Sequence, residues 1–172
     1  MTQIIGILLA AGQGSRFGSD KLQHPLKDGT PMALVAARHL RPACNRLFAV
    51  LRPDSATLAG LLAAEGYETI ICPDAGAGMG HTLAAGVRTS PAAFGWVVAL
   101  GDMPFIAPSS HQAVADCLRA GASLAATSFQ GQRGHPVGFA APWFEQLVAL
   151  TGDQGGKSIL AMHHQKIMLC PV

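Results

Sequence analysis

The chain has 172 residues, of which 49% are hydrophobic and 13% charged, and its 12 basic and 10 acidic side chains leave a net charge of +2. That balance excludes a disordered chain, and the length suits one α/β domain over 1–172 rather than two. Neither charge sign forms a run, so nucleic acid and membrane surfaces are not expected partners, and no apolar stretch reaches the ~18 to 20 residues of a membrane-spanning helix. The elements follow in chain order. Residues 4–9 form an apolar run, β-branched at its start, with no basic residue before it and a glycine-rich turn behind it, which reads as a strand and not as a signal segment. Strands are also expected at 47–51, 69–72, 96–100 and 124–127, and helices at 31–40, 55–64, 82–87 and 108–120. Pro31 and Pro108 suit first-turn helix positions, where a missing N–H costs nothing. Residues 130–136 read as a turn or hairpin, 142–150 and 157–163 as short helices, and 166–170 as a closing strand. Alternating strands and helices imply a three-layer, doubly wound, mostly parallel α/β sheet with right-handed crossovers. Cys44, Cys72, Cys117 and Cys170 form no C-x-x-C pair, which fits buried thiols in a reducing cytoplasm better than a zinc or redox site.

Ligands of such sheets bind beyond the carboxyl ends of the strands, so the loops there carry the functional reading. After Leu9 come Ala10, Ala11, Gly12 and Gly14, then Arg16, Gly18 and Lys21. Small residues let backbone N–H groups approach phosphate oxygens, and the two cations neutralise their charge, as in a triphosphate cradle. The glycines at 12, 14 and 18 run one residue longer than G-x-G-x-x-G, and no acid follows the second strand for a ribose, so a dinucleotide dehydrogenase is not expected. Residues 151–158 approach a Walker A loop, but Thr151 replaces its first glycine and no strong apolar strand precedes it.

The strand at 96–100 runs into Gly101-Asp102-Met103-Pro104, which presents a carboxylate suited to Mg²⁺; the alternative makes Asp102 the cap of the helix near Pro108, six residues away. After the third strand, Asp74 and the small residues through Gly80 can approach a base or ribose, or can form a plain glycine loop. His135, between Gly134 and Pro136, is a candidate for an acceptor pocket, whereas His163 and His164 point to different sides of any helix.

Together, Leu9-Ala10-Ala11-Gly12-x-Gly14-x-Arg16-Phe17-Gly18 with Lys21, Gly78-Met79-Gly80, Gly101-Asp102-Met103-Pro104, Gly134-His135-Pro136 and Gly152-Asp153-Gln154-Gly155 resemble the molybdenum cofactor cytidylyltransferase family, in the family's order. The first block is shared by many nucleotidyltransferases; the full set is more specific. Ala10-Ala11-Gly12 resembles the cytidylyl enzymes, where guanylyltransferases resemble Ala-Gly-Gly. Lys157 stands where the family more often has arginine. The resemblance implies a Rossmann-like nucleotidyltransferase fold and transfer of CMP from CTP to the terminal phosphate of molybdopterin, with release of pyrophosphate. It further implies that Leu9 to Gly12, Lys21 and Asp74 hold the nucleotide, that Arg16 binds phosphate, and that Asp102 binds Mg²⁺. A molybdenum hydroxylase receiving the finished cofactor is the implied protein partner. A guanylyltransferase, another transferase of the fold, or a non-catalytic maturation factor for a molybdenum enzyme are the alternatives.

Overall fold

The computed structural model describes residues 3–12 and 21–172; Gly14 and Arg16 lie outside the described residues. The apolar opening forms β1 (Ile4–Ala10), buried along its whole length. Then come α1 (Met32–Leu40), β2 (Arg46–Leu51), α2 (Ala56–Ala64), β3 (Glu68–Ile71), α3 (Met79–Arg88), β4 (Gly95–Leu100) and α4 (Pro108–Arg119). The last third supplies β5 (Leu124–Phe129), β6 (Gln132–Ala140), α5 (Phe144–Val148), α6 (Lys157–Met162) and β7 (Ile167–Pro171). Pro108 does open α4 at its first turn.

These strands form one seven-stranded sheet in the order β3-β2-β1-β4-β6-β5-β7. β1 pairs in parallel with β2 and β4, β2 with β3, and β5 with β7, while β6 runs antiparallel to both its neighbours. A β1 with helices on both sheet faces explains its uninterrupted apolar sequence: Ile4, Leu8 and Ala10 enter one core layer, and Ile5, Ile7 and Leu9 the other. This is the doubly wound, mostly parallel α/β sheet expected from the alternation, with β1 at the point where the winding changes direction.

The turn or hairpin expected over 130–136 is a β5–β6 hairpin whose turn is confined to Gln130 and Gly131, both at positive φ; the strand after it, β6, runs nine residues and was not itself expected. Pro136 hid it, because a proline cannot donate to a ladder; it falls where the β5–β6 register shifts between Ala126 and Ser128, and the Thr127 hydroxyl donates to the His135 carbonyl across that irregularity at 2.8 Å. The helix expected at 82–87 starts earlier, at Met79, so Gly80 and His81 belong to its first turn and not to a loop.

Among the described residues, no helix is long and apolar enough to cross a membrane.

Candidate functional site at the carboxyl edge of the sheet

A cavity of about 490 Å³ opens beyond the carboxyl ends of β1 and β4. Leu9, Ala11 and Gly12 come to its wall from β1, and Leu100 and Asp102 from β4. Lys21 and the buried Leu22 enter from the short 3-10 turn Lys21–Gln23, with Leu22 anchoring it to the core. Lys21 Nζ lies 3.5 Å from Asp102 Oδ2, so the first loop and the β4 loop meet through opposite charges although 81 positions separate them in the chain. Both side chains keep a third or more of their surface exposed, which leaves them able to exchange this contact for a ligand. The helix-cap alternative for Asp102 does not match the geometry: the N-cap position of α4 is Ala107.

Gly76, Gly78 and Thr82 close another wall. At φ +123°, Gly78 adopts a conformation that L side chains rarely take, and a Cβ there would collide with the Gly152 carbonyl and Asp153 Oδ1. The start of α3 therefore packs backbone to backbone against the turn that precedes α6. That packing brings Asp153 to the same cavity as Asp102.

A second cavity, about 460 Å³, shares Leu9, Met79, Leu100 and Asp153 with the first. Its apolar lining includes Leu83, Val98, Val137 and Phe139, and its polar groups include Arg133, His135 and Lys157. Burial lowers the His135 pKa below the usual histidine value; Asp102 opposes the shift and Arg133 adds to it. His135 Nδ1 is buried without a hydrogen-bond partner. A neutral imidazole with an unsatisfied ring nitrogen is primed to bond a ligand atom.

Of the residues singled out in the sequence, Leu9, Ala11, Gly12, Lys21 and Asp102 line the first cavity and His135 the second. The Ala10 side chain packs into the opposite core layer. Asp74 is exposed at the head of the 3-10 turn Ala75–Ala77 and is on the wall of neither cavity. Gly80 is also off both walls: its N–H donates to the Gly152 carbonyl at 2.7 Å, and a Cβ there would come within 2.6 Å of the Thr151 carbonyl oxygen. Asp153, Arg133 and Lys157 were not singled out as site residues; the Gly152-Asp153-Gln154-Gly155 block was the available signal for Asp153.

The donor set suits a hard cation. Among the described residues no group of three or more His, Cys, Asp or Glu side chains could hold a metal alone, but two carboxylates, Asp102 and Asp153, line one cavity. That is the pattern for Mg²⁺, which is held by one or two carboxylates together with substrate phosphates.

The fold is that of the α/β nucleotidyltransferases, and its glycine-lined cavity, with a lysine and two carboxylates on the wall, lies at the carboxyl edge of the sheet, where ligands of such sheets bind. Residues 6–167 match the MobA-like NTP transferase domain, and the chain belongs to that family. It is 31% identical over 166 residues to the purine catabolism protein PucB of Bacillus subtilis (strain 168), covering 91% of this chain and 80% of PucB. The crystal structure of Rv0371c from Mycobacterium tuberculosis H37Rv superposes with a TM-score of 0.86 at 26% identity, covering 99% of this chain and 88% of that one. A second structure of Rv0371c, in complex with manganese, gives 0.84 at 25% identity, covering 99% and 89%.

Proposed function

We propose that residues 1–172 form one nucleotidyltransferase domain that transfers CMP from CTP to the terminal phosphate of molybdenum cofactor and releases pyrophosphate. The observation that carries the transfer reaction is the joined pair of cavities: the glycine-lined one with Lys21 and Asp102 suits a triphosphate, and the neighbouring one, apolar with Arg133, His135 and Lys157, suits a flat ring system bearing a phosphate. The choice of CTP rests on the methyl group of Ala11 at the wall and on the family resemblance of Ala10-Ala11-Gly12.

In this mechanism the small residues after β1 admit the phosphates to the backbone, and Lys21 neutralises them as a point charge. Asp102, with Asp153, would hold Mg²⁺, and the manganese complex of Rv0371c supports a divalent ion in a relative of this fold. When bound, the ion polarises phosphate oxygens and offsets the charge that develops as pyrophosphate leaves. Arg133 and Lys157 would hold the acceptor phosphate so that its oxygen meets the α-phosphorus in line with the leaving group, and the apolar wall excludes competing water. The residues supply position and charge; no covalent intermediate is needed.

A second reading is a non-catalytic maturation factor that keeps the fold and carries the cofactor to a molybdenum hydroxylase without transferring a nucleotide; the 31% identity to PucB, which is named for purine catabolism and not for nucleotidyl transfer, favours weighing it. The test is pyrophosphate release with CTP, GTP, UTP and ATP in turn, with Mg²⁺ and purified molybdenum cofactor. Release with CTP well above the other three is the expected result. Binding of cofactor with no release from any triphosphate would favour the carrier.

A further inference from the structure

The two turns that meet at the cavities are joined through one imidazole. His81, in the first turn of α3, presents Nδ1 to the main-chain N–H of Gly152 at 3.2 Å. From the neighbouring position, the Gly80 N–H donates to the Gly152 carbonyl at 2.7 Å. Both main-chain polar groups of Gly152 are thereby bonded to α3, one of them through the ring. To accept that N–H the imidazole must be neutral with its proton on Nε2. Gly152 sits at φ +75° with open space where a Cβ would stand, so no side chain of its own anchors it. The next residue, Asp153, lines both cavities, whereas His81 lines neither.

We infer that His81 is a positioning residue: by accepting the Gly152 N–H it holds the 151–154 turn, and with it the Asp153 carboxylate, at the joint between the two cavities. A single main-chain bond from Gly80 leaves the peptide before Gly152 free to rock, and the second bond removes that freedom. Small displacements of a group at a reacting centre carry large rate penalties, so loss of the ring bond slows the reaction more than it weakens nucleotide binding. The inference rests on the reading of the cavities as nucleotide and acceptor sites.

The test compares His81→Ala, His81→Asn, Asp153→Ala and the double variant His81→Ala/Asp153→Ala in the full chain. Asparagine places an oxygen close to where Nδ1 stands and can accept the same N–H. We expect His81→Ala to lower kcat for pyrophosphate release about tenfold with KM for CTP within about threefold, His81→Asn to recover to within about twofold, and His81→Ala to cost nothing further once Asp153 is alanine. Normal turnover in His81→Ala, no recovery with asparagine, or additive losses in the double variant would overturn the assignment. Amide exchange by NMR reads the same bond without activity: the Gly152 amide should exchange faster in His81→Ala and slowly again in His81→Asn, with β1 and β4 unchanged. If the wild-type protein releases pyrophosphate from no triphosphate, the proposed reaction falls. Faster exchange confined to that turn in the alanine variant would then still uphold the positioning role, and unchanged exchange would refute it.

Discussion

On one face of the sheet α1, α2 and α4 drive Leu34, Leu40, Leu58, Leu62, Val114 and Leu118 into a closed layer; on the other, α3 is joined by the much shorter α5 and α6, and the layer opens at the carboxyl edge into two cavities. The same strands serve both. In β1 and the residue after it, Leu8 and Ala10 face the closed side while Leu9 and Ala11 face the open one, and in β4 Val97 and Ala99 alternate in the same way with Val98 and Leu100. Neighbouring residues of a single strand are thus assigned to different tasks by parity alone. The difference teaches that both layers bury a core, while the cavities form only where short helices and glycine turns border the carboxyl edge of the sheet.

The largest effect that should follow this division is at Asp102, on the open side at the tip of β4. Replacing it with asparagine retains size and one oxygen acceptor but removes the charge beside Lys21. Turnover should fall on the order of 10²- to 10³-fold, well beyond any change in CTP affinity, because a charge aimed at the reacting phosphates acts most strongly in the transition state. The melting temperature should stay near that of the wild type, since the carboxylate is partly exposed and does not cap α4. An active, normally Mg²⁺-dependent Asp102→Asn enzyme, or one that merely unfolds earlier, would break the comparison.

The closed face and the parallel strands were also the more legible in the sequence. A strand buried on both faces must be apolar without interruption, so β1, β2 and β4 were visible as runs, and Pro108 marked the start of α4. β6 was not visible, because Pro136 and Gly138 interrupt its alternation; Gly138 has no room for a Cβ against Val114 and Leu118. At the site, the glycine-rich turn and Asp102 could be read because each follows an obvious strand. Asp153 follows no strand, lies on an exposed turn, and reaches the cavity only through backbone packing against Gly78 and Gly80, which no local pattern encodes. Asp74 shows the converse: next to a strand end in sequence, it is exposed and lines neither cavity.

The next effect belongs to the closed face. His111 in α4 is 2% exposed, its Nδ1 has no hydrogen-bond partner, and burial, reinforced by the neighbouring His39, pushes its pKa from 6.5 down to about 4. Because the folded value lies below the unfolded one, the neutral ring is favoured in the fold. The associated stability is fully present above pH 6.5 and is lost as pH falls toward 4, by roughly 3 kcal/mol in all. His111→Leu removes that titration. Urea unfolding at pH 7.5 and 4.5 should show the wild type losing on the order of 2 to 3 kcal/mol more than the variant, while CTP affinity at pH 7.5 is the same in both. Equal losses on acidification would mean that the ring is not held neutral by the closed layer, and altered CTP affinity would mean that the two faces are not independent.

The smallest expected effect probes the parity of β1 at its most sensitive point. Ala10 and Ala11 are both buried, yet only Ala11, with its single methyl group, lines the first cavity, and Ala10 packs into the layer beneath α1. If that methyl narrows the space for the base, Ala11→Gly should admit a purine more readily, raising the ratio of GTP to CTP turnover about fivefold, or about 1 kcal/mol, near the lower end of what a single methyl group discriminates in a pocket. Glycine also gives the backbone more freedom to lose on folding, costing about 0.5 to 1 kcal/mol of stability, so the ratio and not the absolute rate is the measurement. Ala10→Gly provides the control: it carries the same backbone cost and leaves a void in the closed layer, and it should lower the melting temperature without moving the ratio. A shifted ratio in both variants would show that backbone slack, rather than the Ala11 methyl, selects the base. An unshifted ratio in Ala11→Gly would place base selection on another wall of the cavity.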